Sequence, residues 1–150
     1  MLTDGDVIRN LLASYCRHID AGDFDAVGQL FARGKVCDES GTVLATGAAE
    51  VAALYGSTTR RHEDGTPMTQ HLVANTLLEP VDDDHVVATS TYVVLQATPD
   101  LPLQPIITGT YVDTFVRTSG DERWRFAERR FGVGRVGNLS QHLTIAVEER

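Results

Sequence analysis

Apolar residues recur at helical spacing near the start of the chain and at strand spacing through most of its second half. Val7, Ile8, Leu11, Leu12, Tyr15 and Ile19 fall on one side of a 3.6-residue repeat, which predicts an amphipathic helix. Thr3 and Asp6 have the spacing of a capping box at its start, and Gly22 supplies its stop. Asp23 is placed to cap a short second helix running through Leu30 and Phe31. Residues 35–39 and 42–45 read as two short strands around Ser40-Gly41, and Thr46 as the cap of a third helix over 48–55, ended by Gly56. Residues 57–67 are polar and of mixed charge, the pattern of a loop. Strands are then predicted over 68–79, 85–97, 106–118 and 124–133, joined by Asp82-Asp83-Asp84, the segment 99–105 and Ser119-Gly120-Asp121.

Helices first and long strands on short turns afterwards indicate an α+β fold, with helices packed on one face of a curved sheet. Proline is absent from the centres of the last three predicted strands, as paired strands require. No internal repeat, low-complexity tract or linker interrupts the chain. Its 150 residues read as one domain, 1–150, large enough for a core and a ligand cavity.

Charge narrows the partners. The formal net charge is −8 and Lys35 is the only lysine, while Arg60-Arg61 and Arg129-Arg130 are too short for a basic stripe. Nucleic-acid binding is therefore not expected. No apolar run reaches the ~18 residues of a membrane span, and the acidic start Met1-Leu2-Thr3-Asp4-Gly5-Asp6 is unlike a signal peptide. Cys16 and Cys37 sit among apolar neighbours and read as reduced core residues of a cytoplasmic protein.

Several motifs fail on context. Gly132-Val133-Gly134-Arg135-Val136-Gly137 satisfies G-x-G-x-x-G, but too little chain follows for a βαβ unit, so it reads as a glycine-eased strand bend. The three aspartates 82–84 lack the further ligands of a calcium loop. His62, His85 and His142 lie in polar or terminal contexts without metal-ligand spacing, and no G-x-S-x-G elbow is present. No metal or cofactor is expected.

Two residues remain. His71 is the one titratable group in the aliphatic stretch Met68-Thr69-Gln70-His71-Leu72-Val73-Ala74-Asn75, and alternation puts His71, Val73 and Asn75 on one face. Asp20 ends the first helix, where a carboxylate faces the negative end of the helix dipole at a cost of roughly 0.3–1 kcal/mol. The residues alone leave alternatives open: a solvated Asp20 neutralised by Arg17 or His18, and a core His71 hydrogen-bonded to a neighbour such as Asn75.

The segment from Tyr15 to Asp20 with Gly22-Asp23, Leu30-Phe31, the Gly47 helix start, Thr69 to Asn75, Gly109-Thr110-Tyr111-Val112-Asp113, and Trp124-Arg125-Phe126 before Arg129-Arg130 resemble a SnoaL-like member of the nuclear transport factor 2-like superfamily. Ketosteroid isomerase, scytalone dehydratase, hexachlorocyclohexane dehydrochlorinase and polyketide cyclases belong to that superfamily. The resemblance spans nearly all of the chain. It implies a cone: a curved, mixed but mostly antiparallel sheet with three helices on its concave face, the cystatin-like α+β barrel. It also carries a catalytic pair from the dehydratase and dehydrochlorinase branch onto Asp20 and His71.

Such a pair supports cofactor-free proton abstraction from carbon. An imidazole titrates near pH 6.5 and can accept a proton near neutrality, while the carboxylate fixes its tautomer and stabilises the imidazolium. Tyr15, Tyr92 and Tyr111 are candidate phenols for a developing anion, although each also suits core packing. Arg130 shares strand parity with Trp124 and Phe126 and is expected to point into the cone, with Arg129 pointing out. Asn75, Trp124 and Phe126 complete the expected pocket. The chain departs from the dehydrochlorinase-like branch, which has a lysine where Tyr15 stands, and it shows no evident counterpart of scytalone dehydratase's second histidine. The expectation is a lyase or isomerase, dehydratase- or cyclase-like, acting on a small cyclic or polyketide-like molecule. Competing readings are a non-catalytic binding or oligomerisation module and the small subunit of a ring-hydroxylating dioxygenase. Adjacent apolar pairs, Val93-Val94 and Phe115-Val116, cannot all face one interior and predict a homodimer or homotrimer.

Overall fold

A computed structural model describes residues 1–149. Three helices, α1 (Asp4–Asp20), α2 (Phe24–Leu30) and α3 (Gly47–Thr58), accompany six strands: β1 (Lys35–Asp38), β2 (Val43–Thr46), β3 (Thr69–Asp82), β4 (His85–Thr98), β5 (Leu101–Thr118) and β6 (Asp121–Val136). The strands form one sheet in the order β2-β1-β6-β5-β4-β3. Among the described residues, only the β1–β6 pairing is parallel. The sheet is curved and does not close, and the helices cover its concave face, the expected α+β cone.

Both predicted N-terminal devices form on α1 and α2. The Thr3 hydroxyl accepts from the Asp6 amide (3.2 Å), the Asp6 carboxylate accepts from the Thr3 amide (2.9 Å), and Asp23 accepts from the Ala26 amide (3.0 Å). Gly22 ends α1 with φ +71°, where a Cβ would stand 2.2 Å from the Gly65 carbonyl oxygen. The apolar stripe of α1 is buried as Ile8, Leu12, Tyr15, Cys16 and Ile19. Val86, Ala88, Tyr92 and Val94 of β4 are buried in the same core, at the alternate positions a half-buried strand turns inward. Cys16 and Cys37 are buried and free.

Some boundaries differ from the sequence reading. α3 runs through Gly56 to Thr58, and Thr46 does not cap it with its side chain; the Thr46 amide instead donates to Glu50 Oε2 (2.8 Å). β5 begins at Leu101 despite Pro102 and Pro105. Its pairing with β6 starts only at Ile107, so residues 101–105 have one side without a strand partner, where a missing N–H does no harm.

Register shifts in the long strands decide the site. In β3 the ladder passes from Ala74–Thr91 to Leu77–Thr89, leaving one more residue on β3 than on β4. Asn75 sits in that bulge at φ +54°. In β6 the pairing passes from Thr114–Glu128 to Phe115–Phe126, so Ala127 is extra and the inward-facing parity changes there. After β6 the chain returns across the end of α3: Thr59 bridges Leu143, and the Arg60 amide donates to the His142 carbonyl (2.7 Å).

Candidate functional site

The end of α1 meets the free edge of β3. Because β3 is the last strand of the sheet, its outward amides have no strand partner, and the Asp20 carboxylate takes one of them. Asp20 Oδ2 accepts from the His71 amide (2.8 Å), and Oδ1 accepts from the Thr69 hydroxyl (2.9 Å) and lies 2.6 Å from His71 Nδ1. Three donors thus converge on a carboxylate that the helix dipole alone would disfavour. With Nδ1 directed at the carboxylate, the favoured tautomer carries its proton there and leaves the lone pair on Nε2.

This pair separates two concavities. On one side is an apolar cavity of about 190 Å³, walled by Tyr15, Tyr55, Tyr92, Tyr111, His71 and His142 among aliphatic side chains. On the other, a more polar groove of about 590 Å³ runs between α1 and β3, lined by Arg9, Arg17, Asp20 and His71 among others. The imidazole of His71 therefore borders an apolar space while its carboxylate partner borders a wet one.

The tyrosines form a connected wall. Tyr15 donates to the Tyr55 hydroxyl (3.2 Å), Tyr92 and Tyr111 stack with centroids 4.3 Å apart, and Tyr92 donates to the Gly132 carbonyl (3.1 Å). Burial pushes every one of these phenols up, Tyr92 to about 12 and Tyr15 and Tyr111 well above the ordinary phenol value, so all four keep their protons at neutral pH. Beneath them lies Arg129, fully buried, its guanidinium 3.7 Å from the Tyr111 ring centroid and 4.2 Å from that of Tyr15. Asp113 holds it with two hydrogen bonds, 2.7 Å from Nε and 2.9 Å from Nη2. Burial works against the guanidinium's charge, but the Asp113 carboxylate outweighs it and keeps Arg129 protonated.

His142 joins this wall from the segment after β6, its ring centroid 6.0 Å from that of His71. Only 5% of the residue is exposed, and its Nδ1 is buried without a hydrogen-bond partner. Burial, and then the neighbouring His71, push its pKa down to about 4, so it is neutral at pH 7.

Of the residues singled out by sequence, His71, Tyr15, Tyr92 and Tyr111 line the apolar cavity and Asp20 is bonded to His71. Four expectations are corrected. Asn75 lines the α1–β3 groove instead, because the β3 bulge breaks the alternation that would have aligned it with His71. Trp124 and Phe126 pack below the cavity: Trp124 under the Arg117 guanidinium at 4.8 Å, and Phe126 between Phe31 and Phe115. Arg130 points outward and pairs with Glu128, while Arg129 points in, since the extra residue Ala127 inverts the parity read from Trp124 and Phe126. His142, set aside as a terminal histidine, lies in the wall. Tyr55 and Arg129 were also missed. The run of alternating residues gave no sign of the bulge, and nothing local to His142 announces its return to the cavity. Among the described residues, no group of three or more His, Cys, Asp or Glu side chains could hold a metal ion, and no helix is long and apolar enough to cross a membrane.

Comparison with known proteins agrees with the fold. A variant of Rv3472, a protein of unknown function from Mycobacterium tuberculosis, superposes with a TM-score of 0.68 at 26% identity, over 87% of this chain and 71% of that one. A nuclear transport factor 2-like protein with a cystatin-like fold from Novosphingobium aromaticivorans gives 0.68 at 23% identity, over 87% and 81% of the two chains. A candidate scytalone dehydratase from the same organism gives 0.64 at 21% identity, over 88% and 89%. No curated protein matches the chain in sequence. The SnoaL-like domain model matches residues 1–130, and the chain belongs to that family.

Proposed function

We propose that this protein is a lyase or isomerase that removes a proton from carbon in a small cyclic or polyketide-like molecule, with His71 as the base and Asp20 as its carboxylate partner. The observation that carries the reading is the 2.6 Å contact between His71 Nδ1 and Asp20 Oδ1 at the wall of an apolar cavity. A lone pair on Nε2 accepts the proton. Asp20 holds the tautomer and stabilises the imidazolium, and the protonated phenols of Tyr55 and Tyr111 offer hydrogen bonds to the anion that develops, since Tyr15 and Tyr92 already donate to Tyr55 and the Gly132 carbonyl. A cavity of about 190 Å³ is small beside the roughly 300–1,000 Å³ of sites for drug-sized ligands, which favours a compact substrate. The scytalone dehydratase-like neighbour fits the same chemistry.

The test is deuterium exchange at the activated carbon of cyclic ketones and hydroxy-ketones, read by mass spectrometry. Positioned general bases contribute roughly 10²–10⁴-fold, so His71→Ala and Asp20→Asn should each lose at least about two orders of magnitude while still binding the ketone. Wild-type protein that binds such ketones yet never exchanges their protons would instead make the cavity a binding site.

The same reading extends to assembly and compartment. Leu72, Leu77 and Val81 of the edge strand β3 and Val43 and Leu44 of β2 are exposed, and they support a homodimer or homotrimer. Light scattering at high micromolar concentration should find no monodisperse monomer. Two free, buried thiols suit a reducing cytoplasm.

A further inference from the structure

The base assignment leaves one member of the cavity wall without a task. His142 lies on the segment after β6, and that segment is fixed by its backbone. The Gln141 carbonyl, just before it, accepts from Gln96 Nε2 and contacts His62 Nε2, both at 2.9 Å. The His142 carbonyl accepts from the Arg60 amide (2.7 Å), and its own amide donates to the Leu139 carbonyl (3.0 Å). None of these bonds uses the imidazole. The ring is carried into the apolar cavity beside His71, with Nδ1 buried and unpartnered. Buried polar groups are nearly always paired, so an unpaired one in a cavity wall leaves a hydrogen bond for water or a bound molecule to supply.

We propose that His142 is a second catalytic residue, a neutral imidazole that donates a hydrogen bond to the carbonyl oxygen of a compact ketone while His71 takes the proton from the adjacent carbon. This rests on the assignment of His71 as base. In the step, the C–H electron pair becomes the C=C bond of an enolate, the carbonyl π pair moves onto oxygen, and the proton goes to His71 Nε2. The His142 N–H faces the oxygen as its charge grows. Where the ketone carries a β-hydroxyl, the enolate expels it, and the proton on His71 leaves with it as water.

The two imidazoles differ in the way this division of labour needs. His71 has the Asp20 carboxylate behind it and tolerates the cationic state. Among the described residues, no carboxylate is hydrogen-bonded to His142. The charged or titratable groups that act on it are His71, Asp20 and His62, and burial dominates them, keeping it neutral. Two cations at a centroid separation of 6.0 Å in an apolar wall would repel strongly, so one imidazole must remain an uncharged donor while the other accepts the proton. A neutral histidine with a depressed pKa is suited to polarising a carbonyl.

The test is infrared difference spectroscopy of 2-tetralone labelled with ¹³C at its carbonyl, bound to the full chain at pH 7, alongside deuterium exchange of the same ketone. In wild type the C=O stretch should shift to lower wavenumber than in an apolar solvent. His71→Ala should keep the shift and lose exchange by at least about 100-fold. His142→Phe should lose the shift and slow exchange by roughly 10²–10³-fold, the effect of deleting one oxyanion donor. His142→Gln, which retains an N–H donor, should recover part of both. It also serves as the second variant if His142→Phe fails to fold, as judged by circular dichroism. An unshifted carbonyl in wild type, or an undiminished shift in folded His142→Phe, overturns the proposal whatever His71→Ala does. A shift lost in His142→Phe with wild-type exchange in His71→Ala supports the carbonyl contact and removes His71 as base.

Discussion

The buried, neutral His142 makes a quantitative prediction about stability that needs no substrate. Its pKa falls from the ordinary 6.5 to about 4 in the folded protein, because burial penalises the imidazolium. In the unfolded chain it takes up a proton near pH 6.5; in the folded chain it does so only near pH 4. Between those values the unfolded state binds more protons, so stability falls as the solution is acidified. Above the window both states are neutral, below it both are charged, and this residue contributes no further slope. At ~1.36 kcal/mol for each pH unit, the whole drop is about 3 kcal/mol. The residue is 5% exposed, so solvent screening takes little from that figure. Exposed carboxylates whose pKa is lowered by hydrogen bonds, such as Asp38 and Asp64, also lose stability in acid, and they are common to both proteins in a comparison with His142→Asn. Urea titrations of the two proteins at intervals from pH 8 to pH 4 isolate the histidine. The difference between their unfolding free energies should be flat above about pH 7 and then move by about 3 kcal/mol in favour of the variant. For a domain of this size that is roughly 6–12 °C in Tm. Parallel curves through the whole range would mean that His142 is solvated or accepts its proton in the folded state, and the buried neutral imidazole would have to be abandoned.

Three further perturbations test the framework beneath the cavity. Arg129→Met strands the Asp113 carboxylate with no counter-ion at a fully buried position and should cost about 3–5 kcal/mol in denaturant unfolding, with much of the loss recovered in Arg129→Met/Asp113→Leu. Gly109→Ala should cost about 3 kcal/mol or more, since its Cβ would stand 2.0 Å from the Gly132 carbonyl oxygen and 2.5 Å from the Tyr92 hydroxyl. Gly132→Ala should be milder in the same measurement, because its nearest obstacle is the end of the Glu39 side chain at 2.9 Å.

Periodicity was sufficient for the elements because one face of each is buried. The stripe of α1 is spread over Ile8, Leu12, Tyr15 and Ile19, and the alternation of β4 over Val86 to Val94, so each repeats its signal several times. Asp20 and His71 could be singled out for a related reason: each is a polar exception at a defined point of a regular pattern. The inward residues of β6 could not. One extra residue, Ala127, exchanges Arg130 for Arg129, and a bulge has no signature in a run that still alternates. Asn75 was lost to the bulge in β3 in the same way.

The sequence by itself therefore determined the α+β class, the order of the helices and strands, and the caps of α1 and α2, whereas Asp20 and His71 were paired only by the family resemblance. Class, order and caps depend on neighbours within a few positions, where backbone geometry and side-chain chemistry are coupled directly. Tertiary structure alone decided which arginine is buried, which tyrosines share the wall with His71, and that His142 reaches it. The partners there are far apart along the chain, Tyr15 with Tyr55, Arg129 with Asp113 and His71 with His142. Their meeting depends on accumulated register, curvature and the path of the final segment, which long-range packing sets and local pattern does not encode.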